Sequence, residues 1–194
     1  MTMAFGIGET MSAISVDAER GVTDRFLSMP MASSAVVLGR SFTDMLYSTV
    51  GLAVMIGAGL ALGWRWHGGL AETMAAFGHL LLLRFAMLWV GIFLGLIVPG
   101  PSAVNAVWTV LFPLTMVTSA FAPPETMPAW LGLIAEWNPL SATIYATRDL
   151  FGNPGIGGAS FVSEYAMLLA VAWPLVIIGI FLPLSVRRYR RLSR

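Results

Sequence analysis

The polar stretch Asp17–Arg40, DAERGVTDRFLSMPMASSAVVLGR, decides how the rest of the chain is arranged. It is the one long polar segment that a helical pattern can organise, and it directly precedes the first long apolar run. Its charge is mixed, because carboxylates and arginines share it: Asp17, Glu19, Arg20, Asp24, Arg25 and Arg40. Most of the chain that follows is apolar. We therefore expect residues 17–35 of this stretch to form a cytosolic segment of a membrane protein.

The composition excludes a water-soluble globule. Of the 194 residues, 57% are hydrophobic and 11% are charged, and the mean hydropathy is +0.79, whereas soluble domains carry about 25% charged residues. The chain has no cysteine, which excludes disulfides and thiolate metal sites. All 11 basic residues are arginine, so neither a P-loop lysine nor a Schiff-base lysine exists here. The net charge of +1 does not point to a nucleic-acid partner.

Four apolar runs are long enough to cross a bilayer, for which about 20 residues are needed. They are residues 36–62, 74–98, 103–122 and 165–186. The sequence therefore predicts an all-α polytopic membrane protein with about four transmembrane helices in a single transmembrane domain spanning residues 1–194. Residues 1–16 are only mildly apolar and Glu9 interrupts them, so we expect a frayed amphipathic lead-in, or else the cytosolic end of a helix whose upstream part is missing.

The arginines predict the orientation, because cytosolic loops carry an excess of basic residues. With 17–35 in the cytosol, four crossings return the C-terminus to the same side. Eight arginines, in 17–40 and in the tail 187–194, then lie inside, while Arg65 and Arg148 lie outside. The opposite orientation would reverse this distribution. A cytosolic C-terminus is the prediction.

Residues 123–151 differ from an ordinary loop. Three prolines precede a short apolar segment, and Asn138 followed by Pro139 has the pattern of a helix N-cap with proline at the first helical position. The pattern predicts two short helices that form an extracellular re-entrant hairpin in the outer leaflet. Irregular backbone is tolerated at that depth where protein buries it or where it lines a cavity, so we expect the chain to pack against further protein.

Arg84 lies near the middle of the second predicted span. An arginine there costs about 2.5–3.5 kcal/mol on insertion scales, so it should face protein or water. It is either a residue of a transport path or a structural, paired or snorkelling side chain, with Asp44 or an absent helix as its partner. His79 could share a polar stripe with Arg84. No metal site is expected, because no second histidine or carboxylate stands at ligand spacing.

Two small-residue motifs, Gly91-x-x-x-Gly95 and Gly59-x-x-x-Gly63, permit the close approach of another helix. We interpret both as packing positions, with a role in dimerisation as the minor possibility. Such motifs arise easily in a chain with 20 glycines.

Two blocks of sequence carry a family resemblance. The first is ERGVTDRFLSMP (residues 19–30), followed by Leu38-Gly39-Arg40 and Asp44; the second is FAPPETMPAWL (residues 121–131), followed by Trp137-Asn138-Pro139-Leu140 and Arg148. Both resemble the permease subunits of type-2 ABC exporters, in the daunorubicin-resistance-like multidrug efflux branch. The blocks stand in the family's order over essentially the whole chain. The family usually has six spans, whereas four are predicted here, as if the N-terminal spans were lacking.

The resemblance implies a role for each block. The first is the coupling helix that contacts a separate cytosolic ATPase subunit, with the role carried by Glu19, Gly21, Asp24, Arg25 and Pro30. The second lies near the outer gate, with the role carried by Pro124, Met127, Pro128, Asn138, Pro139 and Arg148. Arg84 and Asp44 are possible pathway residues. By the same resemblance, ATP and Mg²⁺ bind the partner subunit, so the chain holds no cofactor of its own, and a second permease copy or half-permease completes the path.

The function implied is export of an amphipathic drug or lipid-like molecule across a bacterial plasma membrane, with antibiotic resistance as the associated phenotype. The chain is then a transport subunit and not an enzyme. Two alternatives stay open. One is a polysaccharide or glycolipid export permease, in which Trp108, Trp130 and Trp137 stack on sugars. The other is a truncated, inactive permease that acts only as a scaffold.

Overall fold

The computed structural model describes residues 2–19, 33–65, 67–97, 100–153 and 160–192, and the regular structure in them is helical throughout. This confirms the all-α prediction. We number the helices of these residues in chain order: α1 Thr2–Glu19, α2 Ser33–Ala61, α3 Leu70–Ile97, α4 Pro101–Met116, α5 Ala129–Trp137, α6 Pro139–Leu150, α7 Phe161–Glu164 and α8 Ala166–Leu192. A 3₁₀ turn, Pro124–Thr126, precedes α5.

Three of the described helices are long and apolar enough to cross a membrane. Their apolar parts are Leu38–Ala61, Leu70–Ile97 and Ala166–Tyr189, of 24, 28 and 24 residues. At a rise of about 1.5 Å per residue each exceeds the roughly 30 Å of a bilayer core. They coincide with the first, second and fourth predicted spans. The chain is a polytopic membrane protein.

The third predicted span, 103–122, is longer than the helix that forms there. α4 has 16 residues and ends at Met116, so it is a shorter apolar helix. Pro113 lies inside it and offers no amide hydrogen to the preceding turn. Beyond Met116 the chain turns, and Ser119 donates its backbone N–H to a side chain of α6 instead of to its own helix. Apolar residues thus continue along the sequence after the helical hydrogen bonding of α4 has ended.

The expected frayed lead-in at residues 1–16 is also corrected, because α1 is an 18-residue helix packed into the bundle. Ile7 and Met11 are buried. Close approach is possible because α3 presents glycines: a Cβ at Gly91 would lie 2.6 Å from the carbonyl oxygen of Ile7, and one at Gly95 would lie 3.1 Å from the Ile14 side chain. The order of these contacts shows that α1 and α3 run in the same direction. The Gly91–Gly95 motif is a packing surface for α1.

α3 is the central helix. It contacts α1, α2, α6 and α8, and 56% of its most apolar stretch is buried, against 6% for α2 and 11% for α8. The outer faces of α2 and α8 expose large apolar side chains, among them Phe42, Val54 and Leu168. Acyl chains are as apolar as these side chains, so the exposure fits a lipid environment.

The helix ends gather at two opposite ends of the bundle. At one end, which we call the Arg40 end, Gly100 donates its backbone N–H to Ser15 Oγ (3.3 Å), and Arg188 donates to the carbonyl of Leu96 (3.4 Å). At the other, the Arg65 end, the loop between α2 and α3 meets the end of α6, where the N–H of His67 donates to the Phe151 carbonyl (2.9 Å).

The second glycine motif does not pack a helix. Gly59 meets only the side chain of Trp64, and Gly63 has a φ of +95°, which forms the turn after α2. Only glycine adopts this conformation without strain. Among the described residues, Gly59-x-x-x-Gly63 is thus not a position where another helix packs, in contrast to the interpretation from the sequence.

We predict opposite effects for Gly91→Ala and Gly78→Ala, two glycines inside α3 with different surroundings. A Cβ at Gly78 meets no atom of the described residues within 4 Å, so the alanine gains about 0.5–1 kcal/mol of helix propensity. At Gly91 the added methyl group meets the backbone of α1, and overpacking costs about 1–3 kcal/mol. Thermal unfolding in detergent should show a lower midpoint for Gly91→Ala alone. Equal midpoints would contradict the close α1–α3 contact.

Candidate functional site

Arg84 lies in the middle of α3 with only 4% of its surface exposed. Its Nε donates a hydrogen bond to Ser48 Oγ of α2 (2.6 Å), and its Nη2 lies 3.7 Å from Glu9 Oε2 of α1. The Nη1 atom is buried without a hydrogen-bond partner among the described residues. Arg84 therefore joins three helices, and its charge is balanced from α1.

Gly6 of α1 makes room for this arginine. A methyl group at position 6 would overlap the guanidinium of Arg84. Gly8, two residues later, makes the same kind of room for Trp108 of α4, whose ring lies 5.5 Å from that of Phe5. Trp108 is half-buried against α1, whereas Trp130 and Trp137 are exposed.

Asp44 is one of the two partners considered for Arg84 from the sequence, and in the described residues the direct contacts of Arg84 are instead Ser48 and Glu9. Asp44 accepts a hydrogen bond from Thr10 Oγ1 (3.0 Å), and its Oδ1 lies 3.3 Å from Arg40 Nε. Arg40 also donates through Nη1 to Asp17 Oδ2 (2.9 Å). Residues 40, 44 and 48 are each four apart, so they follow one another along one face of α2. Asp44 stands one turn nearer the Arg40 end than Ser48, and Ser48 is the position level with Arg84.

His79 does not join this set. Its Nδ1 lies 2.8 Å from the carbonyl oxygen of Ala75, one turn earlier in its own helix. Among the residues that the structure describes, no group of three His, Cys, Asp or Glu side chains could hold a metal ion.

A cavity of about 570 Å³, the polar cleft, opens between α1, α2 and α3. Its polar lining includes Glu9, Thr10, Arg40, Thr43, Asp44, Ser48 and Arg84. Tyr47, Leu52 and Met55 of α2 add apolar surface. Two carboxylates face two guanidinium groups, so the formal charge of the lining is zero. The cleft can offer hydrogen-bond donors and acceptors to a polar group while an apolar body lies along α2.

Asn138 organises the second region, at the turn between α5 and α6. Its Oδ1 accepts from the N–H of Leu140, which confirms the predicted N-cap. Its Nδ2 donates to the carbonyls of Leu114 and Val117 at the end of α4, both at 3.1 Å. The buried side-chain amide of Asn138 thus hydrogen-bonds backbone groups at the end of α4 and at the start of α6. Ser141 reinforces the turn by donating to the Ala135 carbonyl (2.6 Å).

The other predicted gate residues occupy structural positions around this turn. Pro124 is buried at the start of the 3₁₀ turn, and its carbonyl lies against Gly132. Pro128 precedes α5, and Pro139 is the first residue of α6. Met127 and Arg148 are half-buried. The turn at Asn138 is enclosed by protein, since Leu140 belongs to the same apolar cluster as Leu83 and Met87 of α3. This is the packing that a re-entrant element requires.

The predicted coupling residues fall almost entirely outside the described residues. The undescribed residues 20–32 include Gly21, Asp24, Arg25 and Pro30. Glu19 is the last residue of α1, and the structure describes its backbone but not its side chain. The structure does place Asp17 and Arg40, the two ends of the polar stretch defined in the sequence analysis. Their ion pair was not predicted.

Sequence reasoning also missed Glu9 and Ser48 as partners of Arg84. Glu9 stood out only as an interruption of an apolar stretch, and that interruption is the signal that could have identified it. A carboxylate inside an apolar helix needs a counter-charge, and Arg84 is the buried cation in the described helices. Ser48 gave no signal beyond its i, i+4 spacing from Asp44.

The fold and the cleft define a class: a helical membrane protein whose long apolar helices surround a polar cavity. Comparison with known proteins gives the family. Residues 1–151 match the ABC-2 type transporter family. The chain belongs to this family of transport permeases.

Curated relatives agree with the assignment. The chain is 32% identical over 182 residues to the daunorubicin resistance ABC transporter permease protein DrrB1 of Streptomyces coeruleorubidus, covering 93% of this chain and 62% of that protein. It is 24% identical over 183 residues to a probable doxorubicin resistance ABC transporter permease protein, DrrC, of Mycobacterium tuberculosis, covering 93% and 65%. A putative transport permease, ycf38, of Pyropia yezoensis is 30% identical over 141 residues, covering 71% and 47%.

The chain thus spans less than two thirds of the length of these curated relatives. No solved structure matches it.

We predict that Glu9→Gln destabilises the protein only while Arg84 is present. Removing the carboxylate leaves a buried cation without its counter-charge; because Glu9 is largely exposed, we expect a loss of about 1 kcal/mol rather than the several kcal/mol of a fully buried pair. Arg84→Leu should insert as well as the wild type or better. Thermal unfolding and membrane yield are the measurements. A Glu9→Gln defect that persists in the Glu9→Gln/Arg84→Leu variant would contradict the pairing.

Asn138→Asp and Asn153→Asp form a second matched pair. Both asparagines donate through Nδ2 to two backbone carbonyls, but Asn138 is buried and Asn153 is in the loop after α6, with its bond to the Arg65 carbonyl exposed. Aspartate keeps the N-cap acceptor and loses the donors. We expect Asn138→Asp to lower the free energy of unfolding by at least about 2 kcal/mol, and Asn153→Asp to have little effect because water replaces the lost bonds. Similar losses of unfolding free energy in the two variants would show that the burial of Asn138 does not determine the strength of its contribution.

Proposed function

We propose that the chain is the membrane-spanning permease subunit of an ABC-type exporter that moves an amphipathic drug or lipid-like molecule out of the cell. The observation that carries the proposal is the polar cleft of an ABC-2 type transporter, in which Arg84, Glu9 and Ser48 meet at the centre of the bundle. The cleft pairs a charge-balanced polar lining with the apolar surface of α2, which suits a molecule with one polar and one apolar part. Relatives named for daunorubicin and doxorubicin resistance support the same substrate class.

A separate ATPase subunit drives the transport in this proposal. The ion pair between Asp17 and Arg40 brings the last turn of α1 next to the early part of α2 at the Arg40 end, and the segment 17–35 connects these two helices in the sequence. We assign ATPase docking to this segment and to Glu19, Gly21, Asp24, Arg25 and Pro30 within it. The chain has no lysine and hence no P-loop, so ATP and Mg²⁺ bind the partner.

The Arg40 end faces the cytosol of a bacterial cell in this proposal, and the C-terminus lies there too. Arg40, Arg187 and Arg188 are at this end, as the last turns of α8 pack against the end of α3, while Arg65 and Arg148 are at the opposite end. This is the distribution that the positive-inside rule favours. Residues around Asn138 then lie toward the outer leaflet, at the outer gate.

A second permease copy or half-permease completes the path. A single copy leaves the polar cleft open on the side of Tyr47 and Met55, both of which are exposed on α2. A transport path for a molecule of this class needs walls on all sides, and a second copy can supply the missing one.

The test is a pull-down of the tagged chain from native membranes, with mass identification of what co-purifies. We expect an ATPase subunit with the wild type, and its loss with Asp24→Arg and with Gly21→Pro, while both variants still insert. Glu164→Arg, the same charge reversal at an exposed position near the opposite end, is the control and should retain the subunit.

ATP-dependent accumulation of ethidium in inside-out membrane vesicles tests the transport itself. We expect accumulation with the wild type and its loss with Asp24→Arg. Recovery of the chain without any ATPase subunit, under conditions that preserve a control exporter, would refute the proposal. An ATPase subunit without ATP-dependent accumulation of ethidium or of a fluorescent lipid would favour the scaffold alternative.

A further inference from the structure

The lining of the polar cleft changes character along the length of the bundle. On α2 it runs from the Arg40 end toward the Arg65 end through Arg40, Asp44, Ser48, Leu52 and Met55. The charged residues come first in this order, and beyond Ser48 the α2 lining is apolar. Ser48 accepts a hydrogen bond from Arg84, so the guanidinium lies at the boundary between the polar and the apolar part.

Glu9 of α1 stands between this boundary and the Arg40 end. Gly6 of the same helix lies against the guanidinium of Arg84. Thr10 donates a hydrogen bond to Asp44, which is one turn nearer the Arg40 end. Glu9 lies between residues 6 and 10, and hence between the levels of Arg84 and Asp44. From the Arg65 end, the cleft thus presents an apolar part, then a positive charge, and then two negative charges.

Arg84 has hydrogen-bonding capacity that the described residues do not use. A guanidinium carries five N–H donors. Nε of Arg84 donates to Ser48, and Nη1 is buried without a hydrogen-bond partner among the described residues. The 3.7 Å between Nη2 and Glu9 Oε2 is longer than a hydrogen bond. A buried donor without a partner is costly, and oxyanions are the acceptors that a guanidinium binds most strongly. The level of Arg84 therefore favours an oxyanion.

The next level toward the Arg40 end favours a positive group. The side chain of Glu9 is 70% exposed, and it holds no hydrogen bond to Arg84. An oxyanion bound to Arg84 competes with Glu9 for that guanidinium, and it leaves the carboxylate without its counter-charge. A positive group on the same ligand restores the balance. Because the charges of the lining sum to zero, a ligand with one charge of each sign leaves none of them uncompensated.

Beyond Ser48 the cleft has room for an apolar chain. Gly51 lines this part, and a Cβ there meets no atom of the described residues within 4 Å. Leu52 is buried and forms the wall, while Met55 is 49% exposed on the outer side of α2. The volume of about 570 Å³ lies within the range of about 300–1,000 Å³ that is typical of small-molecule sites. A longer chain can continue from here into the lipid.

We propose that the polar cleft binds a zwitterionic amphiphile whose negative group is attached next to the apolar chain, as in an alkylphosphocholine or a lysophospholipid. Arg84 binds the phosphate, Glu9 faces the ammonium group, and the chain lies along Gly51 and Met55. The order chain, phosphate, ammonium is the order of the lining.

That this molecule is also the one that is moved rests on the proposed function. With the Arg40 end in the cytosol, the head group points toward the cytosol and the chain toward the middle of the membrane. A molecule of this class has the same orientation in the inner leaflet, so it can enter the cleft without turning over.

Displacement of a fluorescent lysophosphatidylcholine tests the assignment. The probe carries its fluorophore at the end of the acyl chain, and it binds the whole protein in dodecyl maltoside micelles. Fluorescence polarisation reports its displacement by three competitors that share one dodecyl chain: dodecylphosphocholine, dodecyl phosphate and dodecyltrimethylammonium. The competitors differ only in head-group charge, so their order reports which charges the cleft recognises.

We expect dodecylphosphocholine to displace the probe at the lowest mole fraction. Dodecyltrimethylammonium lacks the phosphate and should need at least about tenfold more, the factor of a lost charge-assisted hydrogen bond. Dodecyl phosphate lacks the ammonium group and should need about two- to fivefold more, because the pair with an exposed carboxylate is weak. Equal displacement by all three, or strongest displacement by either singly charged competitor, would overturn the assignment.

Glu9→Gln changes the order of the competitors rather than the binding of all of them. It should raise the mole fraction of dodecylphosphocholine that is required about two- to fivefold, and leave that of dodecyl phosphate unchanged or lower. Glu164→Gln, an exposed carboxylate near the opposite end, is the control and should behave as the wild type. A loss of the same size for both competitors describes a structural defect, and it refutes the role of Glu9, as does no change.

Gly51→Leu and Gly57→Leu test the position of the chain. At both glycines of α2 a Cβ meets no atom of the described residues within 4 Å, but only Gly51 lines the cleft. We expect Gly51→Leu to weaken all three competitors about fourfold or more, the factor that one excluded methylene group corresponds to. Gly57→Leu should bind as the wild type does. Equal binding by the two variants would contradict the chain site.

Phosphocholine without a chain separates an amphiphile site from a site for a water-soluble head group. We expect no displacement of the probe by this compound. Displacement that is insensitive to Gly51→Leu would refute the amphiphile and leave a soluble phosphate compound as the ligand.

The inference and the proposed function fail in different ways. ATP-dependent accumulation of ethidium together with unselective displacement leaves the proposed function intact and removes the head-group assignment. Selective displacement by a protein that shows no ATP-dependent accumulation leaves the assignment of the cleft intact, and it refutes the proposed function.

Discussion

Arg84 places a guanidinium group inside a bundle whose surrounding side chains are mostly apolar. A buried charge persists in such a place only when it is paired and hydrogen-bonded. α1 provides the carboxylate of Glu9 and, at Gly6, the room for the group, while α2 provides the hydroxyl of Ser48. Each helix must present one particular face to α3 for this to work. The rotation of α1 and of α2 about the central helix follows from that requirement.

The helices α1 and α2, which flank this site, are held in place by different kinds of interaction. α1 lies against α3 at backbone distance, because Gly91 and Gly95 have no side chains, and this contact admits little adjustment. α1 and α2 instead face each other across the polar cleft and are linked through Asp17, Arg40, Asp44 and Thr10. α1 thus has a close-packed contact on the side of α3 and a polar contact on the side of α2. The polar contacts lie at the Arg40 end, between the last turn of α1 and the early part of α2.

Much of the fold could be predicted from hydropathy and from residues typical of helix ends. α2, α3 and α8 are long apolar runs, and Asn138 with Pro139 identified the start of α6 because the N-cap is a local interaction. Two elements could not be predicted in this way. α1 has a weaker apolar signal, and its helix is stabilised by glycines 80 or more residues further along the chain. α4 ends at Met116 although apolar residues continue, because Ser141 and Asn138 offer alternative partners to its last polar groups.

The sequence by itself determined that the chain is an all-helical membrane protein of the ABC-2 transporter type, because span length, arginine distribution and short motifs are properties of consecutive residues. It also identified Arg84 as a buried charge that needs a partner. Only the tertiary structure decided that the partners are Glu9 and Ser48, and that Asp44 belongs to Arg40 and Thr10. Charge pairing between helices depends on their rotation and relative height. The rotation and relative height of the helices depend on which glycines allow two helices to approach closely. No local pattern of residues encodes these two quantities.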